Sequence, residues 1–409
     1  MVTLCAGSAP RFLERLLAGV ALAAPIQGRR KTLVAIFQRG AMDGLMAVSP
    51  FGDDGLRQLR PRLAMSMFDP SAEARLLDLG EGFGLHPALG AFEPMYNDGT
   101  LAVVHGVGSP NKTRSHFDAQ DYMESGTPFR KGTESGWINR ALAENSAGAK
   151  SGSPFRAVSL TSSLPRSLYG SVPSLAVADL ERFGLGKSLK GNLQTPPAQG
   201  FESLYDQTSQ ELLHDVGGDS FAAMHTLSEM DVSMYRPAAG ADYPRSQLGK
   251  ALTQIAYLIK ARVGLEVAFA ETGGWDTHVQ QGKAQGAFAN RARDLSDSMA
   301  AFWADLGEYR DDVVLLTMTE FGRTVHENGS GGTDHGRASC LFVLGGGVDG
   351  GKLYGSVPQL RRDNLEYGRD LPVVVDFRSV FAEVAGQLFG IDDDDALFPG
   401  WGGARLKLF

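Results

Sequence analysis

Five short stretches of the chain crowd carboxylates, histidines, hydroxyls or arginines together, and each lies beside a run of apolar residues of strand length. Gly273-Gly274-Trp275-Asp276-Thr277-His278 is the most specific. In an extended segment residues i and i+2 point the same way, so Asp276 and His278 can reach one divalent ion together. Thr317-Met318-Thr319-Glu320-Phe321-Gly322-Arg323 and Thr333-Asp334-His335-Gly336-Arg337 add His335 as a ligand, with Glu320 and Asp334 as the carboxylates to pair with it. Arg323 or Arg337 can hold anionic oxygens through paired N–H bonds. In Gln38-Arg39-Gly40-Ala41-Met42-Asp43-Gly44 two glycines flank Asp43, a further ligand candidate. Thr113-Arg114-Ser115-His116-Phe117-Asp118 puts Ser115 at a helix start, where unpaired N–H groups suit an anionic substrate and a hydroxyl nucleophile.

Each stretch also has a plain structural reading. Asp43 reads as a turn residue between glycines, and Ser115 as a helix cap with His116 on the surface. Asp276 and His278 can simply bond each other in a turn. Glu320 can start a helix, and Asp334-His335-Gly336 can be a turn. Five such clusters at strand ends are harder to explain singly, because metal centres are assembled from scattered loop ligands. His86 before Pro87, His105 at the end of an apolar run, and His214 and His225 read as structural or surface residues.

The elements that must position these residues are short apolar runs alternating with amphipathic segments. Thr32 to Gln38, Leu101 to His105, Ala157 to Leu160, Leu265 to Ala270, Val313 to Thr317 and Cys340 to Leu344 are strand-length. Their near-continuous apolar character predicts strands buried on both faces of a mostly parallel sheet. Helices are expected over Pro87 to Tyr96, Phe117 to Glu124, Ser246 to Val263, Gly282 to Leu306 and Phe377 to Leu388. This alternation predicts a three-layer α/β fold, in which ligands bind outside the carboxyl ends of the strands. No linker divides the strands, so 31–409 reads as one domain, interrupted by a loop-rich insertion or cap at about 181–242.

The chain has 409 residues, 43% of them hydrophobic and 21% charged, which argues against a disordered or fibrous protein. Its net charge of −8 argues against a nucleic-acid partner. The 51 glycines and 19 prolines imply many tight turns, and loops that carry chemistry. Only Cys5 and Cys340 occur, which excludes a disulfide framework and a cysteine zinc site. Over 1–30, Arg11 to Arg15 precede the apolar run Leu16 to Ile26 and the A-x-A pattern Ala21-Leu22-Ala23. This reads as an export signal or as a short N-terminal helix. The run is too short for a stable membrane anchor.

The stretches Phe37 to Leu45, Leu85-His86-Pro87-Ala88-Leu89, Thr113 to Asp121, Gly274 to His278, Thr319 to Thr324 and Asp334-His335-Gly336 resemble, in their order, the bacterial family of domain of unknown function 1501. The resemblance runs from about Lys31 to about Gly390. That family is similar to the alkaline phosphatase and sulfatase superfamily, whose members are usually exported. The resemblance implies an alkaline phosphatase-like fold, a nucleophile on a helix start and two nearby divalent ions. By position Asp43 resembles the first-strand Asp that bridges to one ion, and Ser115 the nucleophile. Asp276 and His278 resemble a D-x-x-x-H ligand pair, Glu320 the Asp of an Asp-His pair, and His335 the final His. Three departures stand out: the Asp276 to His278 spacing is shorter, Phe321 stands where a second His is expected, and Thr113 competes with Ser115.

The expectation is therefore a metal-dependent hydrolase of small-molecule or polymer-linked phosphate or sulfate esters, with zinc, manganese or calcium as one or two ions. Ser115 would attack, and Arg114 or Arg323 would bind the equatorial oxygens. The alternative is an exported, non-catalytic binding or assembly protein that keeps the fold and a structural metal, the reading that Phe321 favours. Location is expected to be periplasmic or extracellular, or cytoplasmic if the N-terminus is a structural helix. The sequence leaves the oligomeric state open.

Overall fold

A computed structural model of the chain describes residues 30–145, 153–180 and 232–409. The N-terminal segment read as a signal, the histidines at 214 and 225 and most of the insertion lie outside the described residues. In chain order the strands are β1 (Thr32–Gln38), β2 (Val48–Ser49), β3 (Leu77–Gly80), β4 (Phe83–Leu85), β5 (Leu101–Gly108), β6 (Ala157–Ser159) and β7 (Leu175–Ala176). They continue as β8 (Val267–Thr272), β9 (Val313–Met318), β10 (Arg323–Glu327), β11 (Thr333–His335), β12 (Ser339–Gly345), β13 (Leu353–Gly355) and β14 (Val375–Asp376).

Nine of these form one sheet in the order β13-β5-β12-β9-β1-β8-β6-β7, with β14 also on β5. Every pairing is parallel except those of β12, which runs antiparallel to both β5 and β9. The chain is thus α/β, with a mostly parallel central sheet flanked by helices. The apolar runs are continuous because both faces are covered. In β1, Val34 and Ile36 pack on one face with Leu252 and Ile255 of the helix Gln247–Lys260 and with Leu295 and Met299 of the helix Ala287–Leu306. Leu33, Ala35 and Phe37 pack on the other face with Val380, Phe381 and Val384 of the helix Phe377–Phe389.

All six predicted runs are strands, and four of them extend by one to three residues at an end. The expected helix over Pro87 to Tyr96 is a 3₁₀ turn, Pro87–Phe92, followed by a short α-helix, Glu93–Asn97, which suits prolines at both starts. His86 and His105 are buried and structural. Each accepts a backbone N–H on Nδ1, from Ala88 and Gly106, and sets Nε2 on a backbone carbonyl, of Lys283 and Val48.

Candidate metal centre

β1, β5, β8 and β9 are mutually parallel, so the segments that follow them emerge along one edge of the sheet. β12 starts at that edge because it runs the other way, which brings residues 334–337 to the same place. After β5 the chain passes through Ser109-Pro110 and starts the helix His116–Ser125, capped by the Ser115 side chain. The hairpin β10–β11 sets Arg323 opposite His335.

Three imidazoles and one carboxylate converge here. His116 Nε2 lies 3.0 Å from His335 Nε2 and 3.4 Å from Asp276 Oδ2. His278 Nε2 lies 2.9 Å from His335 Nε2 and 3.0 Å from Asp276 Oδ1, and His335 Nε2 is 3.2 Å from the same oxygen. The remaining ring nitrogens are held from behind. His116 Nδ1 meets Glu320 at 2.7 Å, His278 Nδ1 meets Asp334 at 3.0 Å, and His335 Nδ1 meets the Arg114 carbonyl at 2.9 Å. These partners accept only, so each Nδ1 carries the proton, and in the neutral ring Nε2 is then a lone pair. His116, Asp276 and His335 each offer a ligand atom within 4.8 Å of the other two, a group that could hold a metal ion, with His278 against its edge.

The charges around the cluster agree. Burial pushes the Glu320 carboxyl up, but the bonds from His116 and Gln120 outweigh it and hold it below its ordinary value. The Glu320 bond in turn raises His116. Burial, with the neighbouring His116, lowers His335. Burial opposes ionisation of Asp276 and Asp334, yet Arg323 keeps the first low and His278 the second.

Glu320 is the most constrained of these groups. It is fully buried, and its Oε1 accepts from His116, from the Gly40 N–H at 2.9 Å and from Gln120 Nε2 at 3.0 Å. Gly40 is required at that point, since its φ is +117° and a Cβ would sit 2.6 Å from the Asp276 nitrogen.

The residues singled out in the sequence fall into two sets. Asp276, His278 and His335 come together, with Glu320 and Asp334 behind the rings. Asp43 does not join them. Its carboxylate takes both guanidinium nitrogens of buried Arg60, at 2.8 and 3.1 Å, and the Gln281 amide at 2.7 Å, so its oxygens are already occupied. Arg323 is buried and spent on Asp276 at 2.5 Å and on Thr333, which leaves it no free face for an anion. Arg114 pairs with buried Asp370 through Nη2, and its buried Nε–H has no partner. Ser115 is exposed, with Oγ 3.5 Å from the Asp118 nitrogen, while Thr113 Oγ1 accepts from the Ser115 N–H at 3.2 Å. Phe321 is buried and packs its ring 5.0 Å from His116 and 5.1 Å from His335, as an apolar wall.

The residue that sequence reasoning missed is His116. It read as a surface residue beside a cap, and its one usable signal was its place in the same stretch as Ser115, after a strand.

This is an α/β protein with a three-histidine, one-aspartate cluster at the carboxyl edge of its sheet. Residues 59–398 match the family described as protein of unknown function (DUF1501), and the chain belongs to that family. Among solved structures it is similar to a protein in the alkaline phosphatase superfamily from Vibrio parahaemolyticus, with 11% identity over 98% of this chain and 78% of that one, at a TM-score of 0.39. It is also similar to the PsFucS1 sulfatase from Pseudoalteromonas sp., with 10% identity over 98% and 78% and a TM-score of 0.37. For the alkaline phosphatase from the Antarctic bacterium TAB5 the values are 11% identity over 78% and 93%, and a TM-score of 0.30. No curated protein matches the chain.

Proposed function

We propose that the chain is a metal-dependent hydrolase of phosphate or sulfate esters, acting on small molecules or on polymer-linked groups. The observation that carries this reading is the convergence of the His116, His278 and His335 Nε2 atoms on the Asp276 carboxylate. His116, Asp276 and His335 would hold one divalent ion, with His278 beside His335 and Asp276, and zinc, manganese or calcium remain the candidates, with the nitrogen ligands favouring the first two. When bound, such an ion polarises the ester oxygens as a Lewis acid. Glu320 and the Arg114 carbonyl fix the ring tautomers of His116 and His335, which leaves their Nε2 atoms free to meet the ion, and Asp334 holds His278 in the same way.

Ser115 is the proposed nucleophile. It lies between Arg114, whose carbonyl touches His335, and His116, which belongs to the cluster. Its Oγ is open to solvent, and the N–H groups of the helix start favour a developing oxyanion. Attack would form a bond from Oγ to phosphorus or sulfur while the bond to the leaving oxygen breaks, with the hydroxyl proton passing to solvent. Water would then release phosphate or sulfate. Arg114, whose Nη2 alone is engaged by Asp370, is the proposed donor for an ester oxygen, and Thr113 is the competing hydroxyl.

Metal analysis of purified protein, combined with a panel of aryl phosphates and aryl sulfates, tests the reading. Ser115→Ala should cut turnover by several orders of magnitude at unchanged metal content, and Thr113→Ala should be far milder. The reverse pattern assigns the role to Thr113, and indifference to both rules out covalent catalysis. The engagement of both Arg114 and Arg323 in ion pairs favours a second reading, a binding protein with a structural metal. Retained metal with no turnover of any ester would establish it.

No helix among the described residues is long and apolar enough to cross a membrane. Export remains part of the proposal, and a mature protein outside the cytoplasm that begins near Ala23 would support it.

A further inference from the structure

Arg39, the residue after β1, has its guanidinium set by four contacts. Nε donates to Glu271 of β8 at 2.9 Å, and Nη1 donates to Glu124 at 2.6 Å and to the Gln120 side-chain oxygen at 3.1 Å, while Cζ lies 4.1 Å from the centre of the Phe37 ring. The backbone is fixed as well. Its N–H donates to the Thr272 carbonyl at 2.8 Å, and its carbonyl accepts from the Trp275 N–H at 3.3 Å, one residue before Asp276. Burial opposes the charge, but Glu124 and Glu271 outweigh it and raise the guanidinium above its ordinary value.

Gln120 links this cation to the metal centre. His116, Gln120 and Glu124 are spaced by four residues on the helix His116–Ser125, so they lie along one face. Gln120 Nε2 donates to Glu320 Oε1 at 3.0 Å, and the same oxygen takes His116 Nδ1 at 2.7 Å. An arginine only donates and a carboxylate only accepts, so the amide stands one way round, with its oxygen to Arg39 and its nitrogen to Glu320.

Without Arg39 that order has a competitor. Glu124, relieved of its guanidinium, would seek the same amide N–H groups, and the Gln120 oxygen would lose its donor. Glu124 cannot turn to water instead, because it is buried and its other oxygen takes the Ser167 N–H at 3.0 Å and the Ser167 hydroxyl at 3.2 Å.

We propose that Arg39 is a positioning residue for the metal centre, acting through Gln120 and Glu320 to hold His116 in line with the ion. The proposal rests on the metal part of the reading above and not on ester hydrolysis. Zinc and manganese affinities are measured by competition with a chelating dye for the wild type, Arg39→Met, Gln120→Met and the double variant, and melting of the metal-free proteins reports folding. Removing a positive charge near a cation site strengthens cation binding through space, so a plain charge effect has the opposite sign to a positioning one. Arg39→Met and Gln120→Met should each weaken metal binding by about tenfold, the lower end of what loss of an outer partner costs, because Glu320 stays in place. The double variant should lose no more than either single one, rather than about a hundredfold, since residues acting in series are not additive. Affinity unchanged or tighter in Arg39→Met, or losses that add in the double variant, would overturn the assignment. Should Arg39→Met fail to fold with Glu124 left unpaired, Gln120→Met keeps every Arg39 ion pair, and an unchanged affinity in that variant would overturn it equally. A wild type that binds neither ion removes the metal reading and the role of Arg39 with it, whereas metal bound alike by the wild type and both single variants removes the role of Arg39 alone.

Discussion

Replacing Glu320 with Gln isolates what a buried carboxylate does behind a metal-facing histidine. Glu320 Oε1 accepts three hydrogen bonds, from His116 Nδ1, the Gly40 N–H and Gln120, and the side chain is fully buried. A glutamine carbonyl oxygen can still accept from the same three donors, so those bonds can survive while the charge is lost and an amide NH2 replaces Oε2 beside Thr319 Oγ1. That charge raises the basicity of His116 and fixes its ring. Losing such a partner typically weakens metal binding by about 10 to 100-fold, or about 1.4 to 2.7 kcal/mol. Asp334 supports His278 in the same way, but its side chain is 54% exposed and solvent already screens it. Asp334→Asn should therefore cost much less. Competition of each variant with a zinc-chelating dye gives the two affinities, and melting of the metal-free proteins reports folding separately. Equal losses for the two variants, or an unchanged affinity for Glu320→Gln with a lowered melting temperature, would show that Glu320 is only a structural anchor.

Metal analysis should give one ion per chain, because Asp43 is taken by Arg60 and one group of ligands, His116, Asp276 and His335, remains among the described residues; two ions would show that the Asp43 to Arg60 pair opens. Arg60→Leu leaves a buried carboxylate unpaired and should cost about 3 to 5 kcal/mol in urea denaturation, whereas Asp43→Asn should leave the metal ratio unchanged. Burial lowers both His86 and His105 to about 4, outweighing their backbone bonds. Below its ordinary value near 6.5 each histidine is protonated first in the unfolded chain. Stability is therefore complete above that value and falls as pH drops from 6.5 to 4, by about 3 kcal/mol per histidine. Denaturation across that window should show a shallower slope in His105→Gln, and an unchanged slope would refute the assignment.

The strands were legible because burial on both faces leaves no polar alternation, so Thr32 to Gln38 and Val313 to Thr317 announce themselves as apolar runs. The D-x-H spacing was legible for the same local reason, since an extended backbone alone brings Asp276 and His278 to one side. His116 was not, because everything that makes it part of the site is far away in sequence: Glu320 is 204 residues on and His335 219. Its immediate neighbours even mislead, with Ser115 and Phe117 both exposed. Asp43 failed in the opposite sense. Its flanking glycines and its place after a strand suggest a ligand, and nothing local says that Arg60, 17 residues away, will return to it.

The direction of β12 decides whether a centre can form at all. With β1, β5, β8 and β9 parallel, their trailing segments supply Gly40, His116, Asp276, His278 and Glu320 to one edge of the sheet. A parallel β12 would deliver its leading segment, and with it His335, to the opposite edge. Running antiparallel between β5 and β9, β12 instead starts at the shared edge, and Gly336 is drawn against Gly322 by a 2.8 Å backbone bond. The same placement puts Phe321 against both His116 and His335. Where the resemblance expects a histidine there is therefore an apolar wall, and beside it His116 meets His335 directly, Nε2 to Nε2 at 3.0 Å. A Phe321→His variant would add a ligand at that wall without displacing His116, Asp276 or His335. One ion should still bind, and a second appearing on metal analysis would show that only this side chain separates a one-ion from a two-ion site.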